Sequence, residues 1–157
     1  MTTTSTEFRS DSPAATEAFA AQWAQSLQPD TVILLKGGLG AGKTTFIRGL
    51  ARGLGIDEPI RSPTFTLIHE YTIKQPDHLR GVPFYHLDLY RIETPEQLRT
   101  LGLEEIFERG GIVAVEWAER LGTGGIEATA SEVYEVALEI SDETIRTIRV
   151  TSFAVPA

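Results

Sequence analysis

The sequence predicts an α/β domain of three layers, in which a mixed parallel and antiparallel sheet lies between helices. Three observations predict this class. The nearly continuous apolar run 31–36 is typical of a strand buried on both faces, and a glycine-rich loop and a helical pattern follow it. Helical and strand-like patterns then alternate along the chain. Two strand-like runs near the C-terminus, separated by a short polar turn, indicate an antiparallel hairpin.

The composition is that of an ordinary globular domain, with 41% hydrophobic and 23% charged residues in 157. We expect 1–11, which is rich in Ser and Thr, to be a flexible N-terminus, and 12–157 to form one domain. No apolar run approaches the roughly 20 residues that span a bilayer. The first ten residues lack the apolar core of a signal peptide, and the absence of cysteine fits a reducing compartment. We therefore predict a cytoplasmic protein without a membrane partner.

The net charge of −8 includes only three lysines against eleven arginines. Broad binding of a polyanion depends on neutralising its phosphates, so we expect any nucleic acid to be involved only indirectly. A nucleotide needs only one local positive pocket, which this charge does not exclude.

The first helix is expected to begin at 12–13, where a serine N-cap precedes a proline at the first helical position. Phe19, Trp23 and Leu27 recur every four residues and mark its apolar face. Trp23 could stack on a nucleotide base, but this spacing favours a place in the core. A second amphipathic helix is expected over 43–54.

Strand-like runs at 65–73 and 84–90 are separated by about ten residues, which suits a loose hairpin better than a parallel crossover. A capping box at 94–97 predicts one further helix, weakened at Gly102 and ended by the glycine pair 110–111.

The rest of the chain predicts a buried strand at 112–116 and a short turn or helix at 117–121. The runs 133–140 and 144–151 form the predicted C-terminal hairpin.

Residues 37–44 match the phosphate-binding loop GxxxxGK[ST] at every fixed position, between a strand and a helix. Glycines allow consecutive backbone N–H groups to turn towards phosphate oxygens. Lys43 would reach the β- and γ-phosphates, the Thr44 hydroxyl would ligate Mg²⁺, and the helix adds the positive end of its dipole. The expected nucleotide contacts are Gly38, Leu39, Gly40, Ala41, Gly42, Lys43, Thr44 and Thr45.

Two acidic residues are predicted at the carboxyl ends of strands, where ligands bind in open α/β sheets. Glu116 ends the run 112–115, and Asp88 lies near the end of an earlier strand. A carboxylate in this position is typical of P-loop enzymes, where it holds Mg²⁺ or orients the attacking water. An exposed strand-end acid or a salt bridge is the alternative for Glu116, and a structural pair with Arg91 is the alternative for Asp88. His86 fits a hydrogen-bonded strand histidine better than a catalyst.

Thr64 and Thr66 precede or open the strand after the second helix. GTPase switch loops place a threonine there that senses the γ-phosphate and Mg²⁺, and an ordinary turn threonine is the alternative. The chain contains no asparagine, so the Asn-Lys-x-Asp motif that reads guanine is absent. ATP, with ADP as its product, is the expected nucleotide.

Four motifs occur in order: Gly-x-Leu-Gly-Ala-Gly-Lys-Thr-Thr from position 37, Ser-Pro-Thr-Phe-Thr-Leu from 62, His-Leu-Asp-Leu-Tyr-Arg from 86 and Val-Glu-Trp from 115. Over about 12–150, the chain thereby resembles the TsaE (YjeE) family. These are P-loop ATPases of the pathway that makes threonylcarbamoyladenosine on tRNA.

The resemblance implies a weak ATPase that acts with TsaD and TsaB, the complex that transfers the threonylcarbamoyl group to ANN-decoding tRNAs. The ATPase would reset that complex between turnovers. Trp117, for which a core aromatic is otherwise the favoured interpretation, would lie beside the nucleotide. The family commonly has Asp where this chain has Gly38, so a role for that side chain does not carry over.

The same resemblance implies roles for five residues around the phosphates. Lys43 would bind phosphate, and Thr44 with Glu116 would hold Mg²⁺. Asp88 and Thr64 would support hydrolysis.

Two other functions fit the phosphate-binding loop. A small-molecule kinase usually needs an arginine-bearing lid, and 121–131 is too short and too poor in arginine to form a convincing one. A nucleotide-dependent binding switch would have negligible turnover. Arg61, Arg91 and Arg120 are candidates to stabilise transition-state charge, as is an arginine from a partner.

Overall fold

The computed structural model describes residues 3–38, 40–60, 68–117 and 131–154. The elements of the N-terminal half are β1 (Thr3–Ser10), α1 (Pro13–Ala24), β2 (Thr31–Lys36), α2 (Lys43–Gly53) and β3 (Ile68–Thr72). After a 3₁₀ turn at Asp77–Leu79 follow β4 (Pro83–Asp88), α3 (Pro95–Arg99), α4 (Leu103–Glu108), β5 (Ile112–Glu116), β6 (Glu132–Ile140) and β7 (Arg146–Ala154). None of these helices is long and apolar enough to cross a membrane.

The described strands form one seven-stranded sheet in the order β1-β7-β6-β2-β5-β4-β3. Its centre is parallel, because β6, β2, β5 and β4 run in one direction. Its edges are antiparallel: β3 pairs with β4 in one hairpin, and β7 pairs with both β6 and β1. The predicted mixed sheet and both predicted hairpins are confirmed.

Helices cover both faces of the sheet, which confirms the three predicted layers. On one face α1 and α2 bury a core that includes Leu27 and Phe46. Trp23 packs against this core, with ring centroids 5.9 Å from Phe46 and 5.1 Å from Tyr134, as its spacing predicted. On the other face α4 packs Ile106 and Phe107 against β4 and β5.

The prediction of a flexible N-terminus up to residue 11 is wrong for the described residues. β1 pairs with β7 without interruption, from Thr3 opposite Phe153 to Ser10 opposite Arg146. Threonine and serine are tolerated in an edge strand with a solvated face, and β-branched threonine favours the extended backbone. Phe8 anchors the strand, because its ring stacks on Phe19 at 4.5 Å.

The single helix predicted from the capping box at 94–97 is also wrong. The segment forms two short helices, α3 and α4, separated at Gly102. Gly102 has a φ of 69°, a left-handed conformation that ends a helix. The capping box itself is present, since the Gln97 N–H donates to the Thr94 Oγ1 at 3.2 Å.

Two glycines allow α1 and α2 to approach closely. A Cβ at Gly49 would lie 2.4 Å from the carbonyl oxygen of Glu17, and one at Gly53 would lie 2.4 Å from that of Ala21. This close contact fixes the position of α2 against α1. It thereby also fixes the position of the first residues of α2, which lie beyond the end of β2.

Candidate functional site

The phosphate-binding loop connects β2 to α2 through glycines that adopt unusual backbone conformations. Gly40 and Gly42 have φ values of 79° and 104°, where a side chain would be strained. A Cβ at Gly37 would lie 2.7 Å from the carbonyl oxygen of Leu138, so this glycine allows β2 to pass close to β6. Within the described residues, no side chain caps the N-terminus of α2, where N–H groups are suited to bind a phosphate.

Lys43, the first residue of α2, is 6% exposed and turns back over the loop. Its Nζ donates a hydrogen bond to the carbonyl oxygen of Gly37 at 2.7 Å and lies 3.5 Å from the ring centroid of Trp117. Trp117 has a φ of 58°, a conformation that costs energy in a residue with a side chain. The strained backbone places its ring beside the lysine, and the cation–π contact helps to hold the ammonium group there.

The two predicted carboxylates lie side by side, because Asp88 and Glu116 are directly paired at the carboxyl ends of β4 and β5. Glu116 is only 3% exposed. Its Oε1 accepts a hydrogen bond from the Thr44 Oγ1 at 3.2 Å, and its Oε2 lies 2.6 Å from the Nε2 of His86. The carboxylate therefore links the start of α2 to the neighbouring strand.

Asp88 is half-buried, and its Oδ1 accepts a hydrogen bond from the backbone N–H of Tyr90 at 3.0 Å. Burial is the main cause that raises the pKa of its carboxyl group above the ordinary value, and the charge of Glu116 raises it further. The N–H of Tyr90 and the positive charge of Lys43 act in the opposite direction. Asp88 is thus a carboxylate of the site that ionises less readily than an ordinary aspartate.

These side chains line one cleft of about 360 Å³. Its floor is the phosphate-binding loop and the first turn of α2, and its wall consists of Asp88, Tyr90, Glu116 and Trp117. A cation, a hydroxyl group and two carboxylates thus converge above a helix N-terminus. This combination can hold a polyphosphate together with a divalent cation.

Comparison with known proteins identifies the family. Residues 10–148 match the sequence profile described as "Threonylcarbamoyl adenosine biosynthesis protein TsaE". This chain belongs to the TsaE family. The tRNA threonylcarbamoyladenosine biosynthesis protein TsaE of Nostoc sp. is 46% identical over 133 residues, which cover 82% of this chain and 75% of that protein. The protein of the same name from Bacillus subtilis is 45% identical over 113 residues, which cover 71% of this chain and 66% of that protein.

A solved structure agrees with this assignment. The crystal structure of YdiB from Bacillus subtilis superposes with a TM-score of 0.74 at 33% identity, covering 99% of this chain and 89% of that one. The predicted fold and the predicted membership of the TsaE family are both confirmed.

The structure brings most of the predicted site of this TsaE-family chain together. Ten predicted residues line the cleft: Gly38, Gly40, Ala41, Gly42, Lys43, Thr44, Thr45, Asp88, Glu116 and Trp117. Leu39, Thr64, Thr66, Arg61 and Arg120 lie outside the described residues. Arg91 is exposed on the surface.

Tyr90 and Arg146 were not assigned a role from the sequence, and His86 was predicted only as a hydrogen-bonded strand histidine. Tyr90 lines the cleft, and its ring lies 5.0 Å from that of Trp117. His86 contacts Glu116. The i, i+2 spacing puts the side chains of His86 and Asp88 on one face of β4, and this spacing could have indicated that His86 lies near the site. The Nη2 of Arg146 donates to the carbonyl oxygen of Gly40 at 3.2 Å, a contact between distant parts of the chain that no local pattern indicates.

The oxygen atoms at the TsaE-family site suit Mg²⁺. Thr44 and Glu116 present hard oxygen ligands that are already in contact. Mg²⁺ typically binds one or two protein carboxylates and takes its remaining ligands from water and substrate phosphates. In the described part of the chain, no group of three or more His, Asp or Glu side chains is arranged to hold a metal by itself. The residues present therefore fit an ion shared with a nucleotide.

Proposed function

We propose that this chain binds ATP with Mg²⁺ in the cleft above α2 and hydrolyses it weakly. In this proposal it is a cytoplasmic accessory protein that acts with TsaD and TsaB in the threonylcarbamoyladenosine modification of tRNA and resets that complex between turnovers. The observation that carries the ATPase assignment is the 3.2 Å contact between Thr44 and Glu116, which joins the phosphate-binding loop to a strand-end carboxylate.

Lys43 and the N-terminus of α2 would bind the phosphates. The Nζ of Lys43 now donates to the carbonyl oxygen of Gly37, and a rotation of its side chain would bring the ammonium group to the β- and γ-phosphates. Thr44 and Glu116 would hold Mg²⁺, which neutralises charge on the phosphates when it is bound.

Asp88 would orient the water that attacks the γ-phosphate. It lies beside Glu116 in the register and lines the same cleft. Asp88 is half-buried and lines the cleft, where its carboxylate could accept a hydrogen bond from the attacking water. Thr64, by its match to the family motif, would act with it.

The net charge supports an indirect relation to tRNA. With 22 acidic against 14 basic residues, the chain is poorly suited to neutralise a phosphate backbone over a broad surface. Contact with tRNA would therefore pass through TsaD and TsaB, whose participation is inferred from the family.

The test is Mg²⁺-dependent ATP hydrolysis by the purified protein, alone and with TsaD and TsaB. We expect weak activity that rises with the partners. Lys43→Ala should lose nucleotide binding, whereas Lys74→Ala, which changes an exposed lysine remote from the cleft, should behave as wild type. Glu116→Ala should keep some binding and lose Mg²⁺-dependent turnover.

Four results would contradict the proposal. Normal hydrolysis by Lys43→Ala would refute the site. Brisk hydrolysis that the partners leave unchanged would refute the role in the modification complex, and phosphate transfer to a small acceptor would indicate a kinase. Tight binding without turnover under every condition would indicate a binding switch.

A further inference from the structure

A buried histidine next to the cleft has a ring nitrogen that lacks a hydrogen-bond partner among the described residues. His86 is 0% exposed, and its Nε2 lies 2.6 Å from the Oε2 of Glu116. Its Nδ1 has no hydrogen-bond partner among the described residues. Buried polar atoms nearly always have a partner, so a nitrogen left without one has a cost that needs an explanation. An apolar side chain of similar volume would avoid that cost.

We propose that His86 is a positioning residue for Glu116, which it fixes so that a single carboxylate oxygen faces the cation of the bound nucleotide. This inference rests on the proposed binding of ATP with Mg²⁺. His86 would touch neither the nucleotide nor the metal, and would act through the orientation of Glu116.

The sheet register brings the two side chains together. His86 is paired with Ala114, and Glu116 follows two residues later on the same face of β5. The small side chain of Ala114 leaves room for the carboxylate of Glu116 to reach diagonally across to the imidazole. The contact is therefore set by the register of two adjacent parallel strands of the sheet.

The hydrogen bonds divide the two oxygens of Glu116 between different partners. An ionised carboxylate only accepts hydrogen bonds, so the Nε2–H of His86 and the hydroxyl of Thr44 are the donors. With Oε2 bound to His86, Oε1 is the oxygen that faces Thr44 and the phosphate-binding loop. Mg²⁺ requires near-ideal octahedral geometry, and an oxygen fixed in advance meets that demand better than a carboxylate free to rotate.

Asp88 shows that the arrangement is specific to one carboxylate. It is the register partner of Glu116, yet its hydrogen bond in the described part of the chain comes from the backbone N–H of Tyr90. Of these two carboxylates, Glu116 is the one that the imidazole of His86 contacts by a hydrogen bond among the described residues. If His86 served merely to fill the core, its substitution would change stability and leave the dependence on Mg²⁺ unaltered.

The experiment measures the binding of a fluorescent, non-hydrolysable ATP analogue across a Mg²⁺ titration and in EDTA. His86→Leu removes the donor at similar volume, and His86→Gln returns an N–H near the position of Nε2. His69→Leu is the matched control, because His69 pairs directly with His86 in the β3–β4 hairpin and does not line the cleft.

We expect His86→Leu to raise the half-saturating Mg²⁺ concentration about 10- to 100-fold, the range typical for the loss of a group that orients a metal ligand. Its affinity in EDTA should equal that of wild type, His86→Gln should recover most of the Mg²⁺ response, and His69→Leu should not change it. An unchanged midpoint in His86→Leu, with a normal response in wild type, would overturn this inference alone. A wild-type protein that binds the analogue without any response to Mg²⁺ would overturn the proposed function as well.

A further pair of variants covers the case in which His86→Leu does not fold. The side chain of His86→Asn ends near the position of Nδ1 and is too short to reach Glu116, whereas that of His86→Gln is long enough. A higher Mg²⁺ midpoint for the Asn variant than for the Gln variant would support the positioning role. Equal midpoints for the two would refute it.

Discussion

Substituting Gly49 by alanine should have two opposite effects on the free energy of unfolding: higher helix propensity raises it, and overpacking at the contact between α1 and α2 lowers it. Alanine favours an isolated helix over glycine by about 1 kcal/mol. The new Cβ would lie 2.4 Å from the carbonyl oxygen of Glu17 and 2.7 Å from the Cβ of Ala20. A backbone carbonyl cannot rotate out of the way as a side chain can, so we place the overpacking cost near the upper end of the usual range, about 3 kcal/mol. The net expectation is a loss of about 2 kcal/mol in the free energy of unfolding.

Thermal unfolding measures this loss. For a chain of this length, about 2 kcal/mol corresponds to a decrease in Tm of about 4–8 °C. Ala18→Gly, at an exposed position of α1, isolates the propensity term and should cost about 1 kcal/mol without any packing effect. A Tm that rises in Gly49→Ala would show that the helices are not in such close contact, and would refute the reasoning.

Three further predictions concern the cleft. Burial raises the pKa of Asp88, so its ionised carboxylate destabilises the folded state once the pH exceeds that pKa. Asp88→Asn removes this charge and should raise Tm near pH 7. The gain should vanish below about pH 4, where the aspartate is protonated in both the folded and the unfolded state. Arg146→Ala frees the carbonyl of Gly40 and should cost about 1 kcal/mol, or roughly fivefold in nucleotide affinity by fluorescence titration; an unchanged affinity would contradict a role in holding the loop. Nucleotide binding should change the tryptophan emission, because Lys43 would leave the ring of Trp117 to bind the phosphates. Trp117→Phe should abolish that change. If the change persisted in this variant, it would not come from Trp117, and the prediction would be wrong.

The features that the sequence predicted well are those that local residues determine. The phosphate-binding loop is recognised from eight consecutive residues, and apolar runs of the length of a strand mark the central strands. The rule that ligands bind at the carboxyl ends of strands then placed Asp88 and Glu116 at one edge. Their direct pairing follows from the parallel register of β4 and β5, which the chain order alone did not specify.

The features that the sequence did not predict depend on partners far along the chain. β1 is a strand because it pairs with β7, which begins 136 residues after Ser10 (146 − 10), and its own Ser- and Thr-rich composition is equally typical of a loop. Arg146, the first residue of β7, likewise contacts Gly40, which lies far from it along the chain. At Gly102 the periodic apolar positions predicted one helix, whereas the left-handed backbone of that glycine divides it.

The two carboxylates of the site differ in their partners more than in their positions. Both end parallel strands, and both line the same cleft. Glu116 is buried and receives hydrogen bonds from two side chains that belong to different elements, so its oxygens have fixed directions. Asp88 is half-buried, its hydrogen bond is local, and its ionisation is opposed by burial. A fixed oxygen suits a cation with strict geometry, and a less constrained carboxylate suits a water molecule that must move as it reacts. The separate roles proposed for Glu116 and Asp88 therefore follow from His86 and Thr44, which hold one carboxylate and leave the other to adjust.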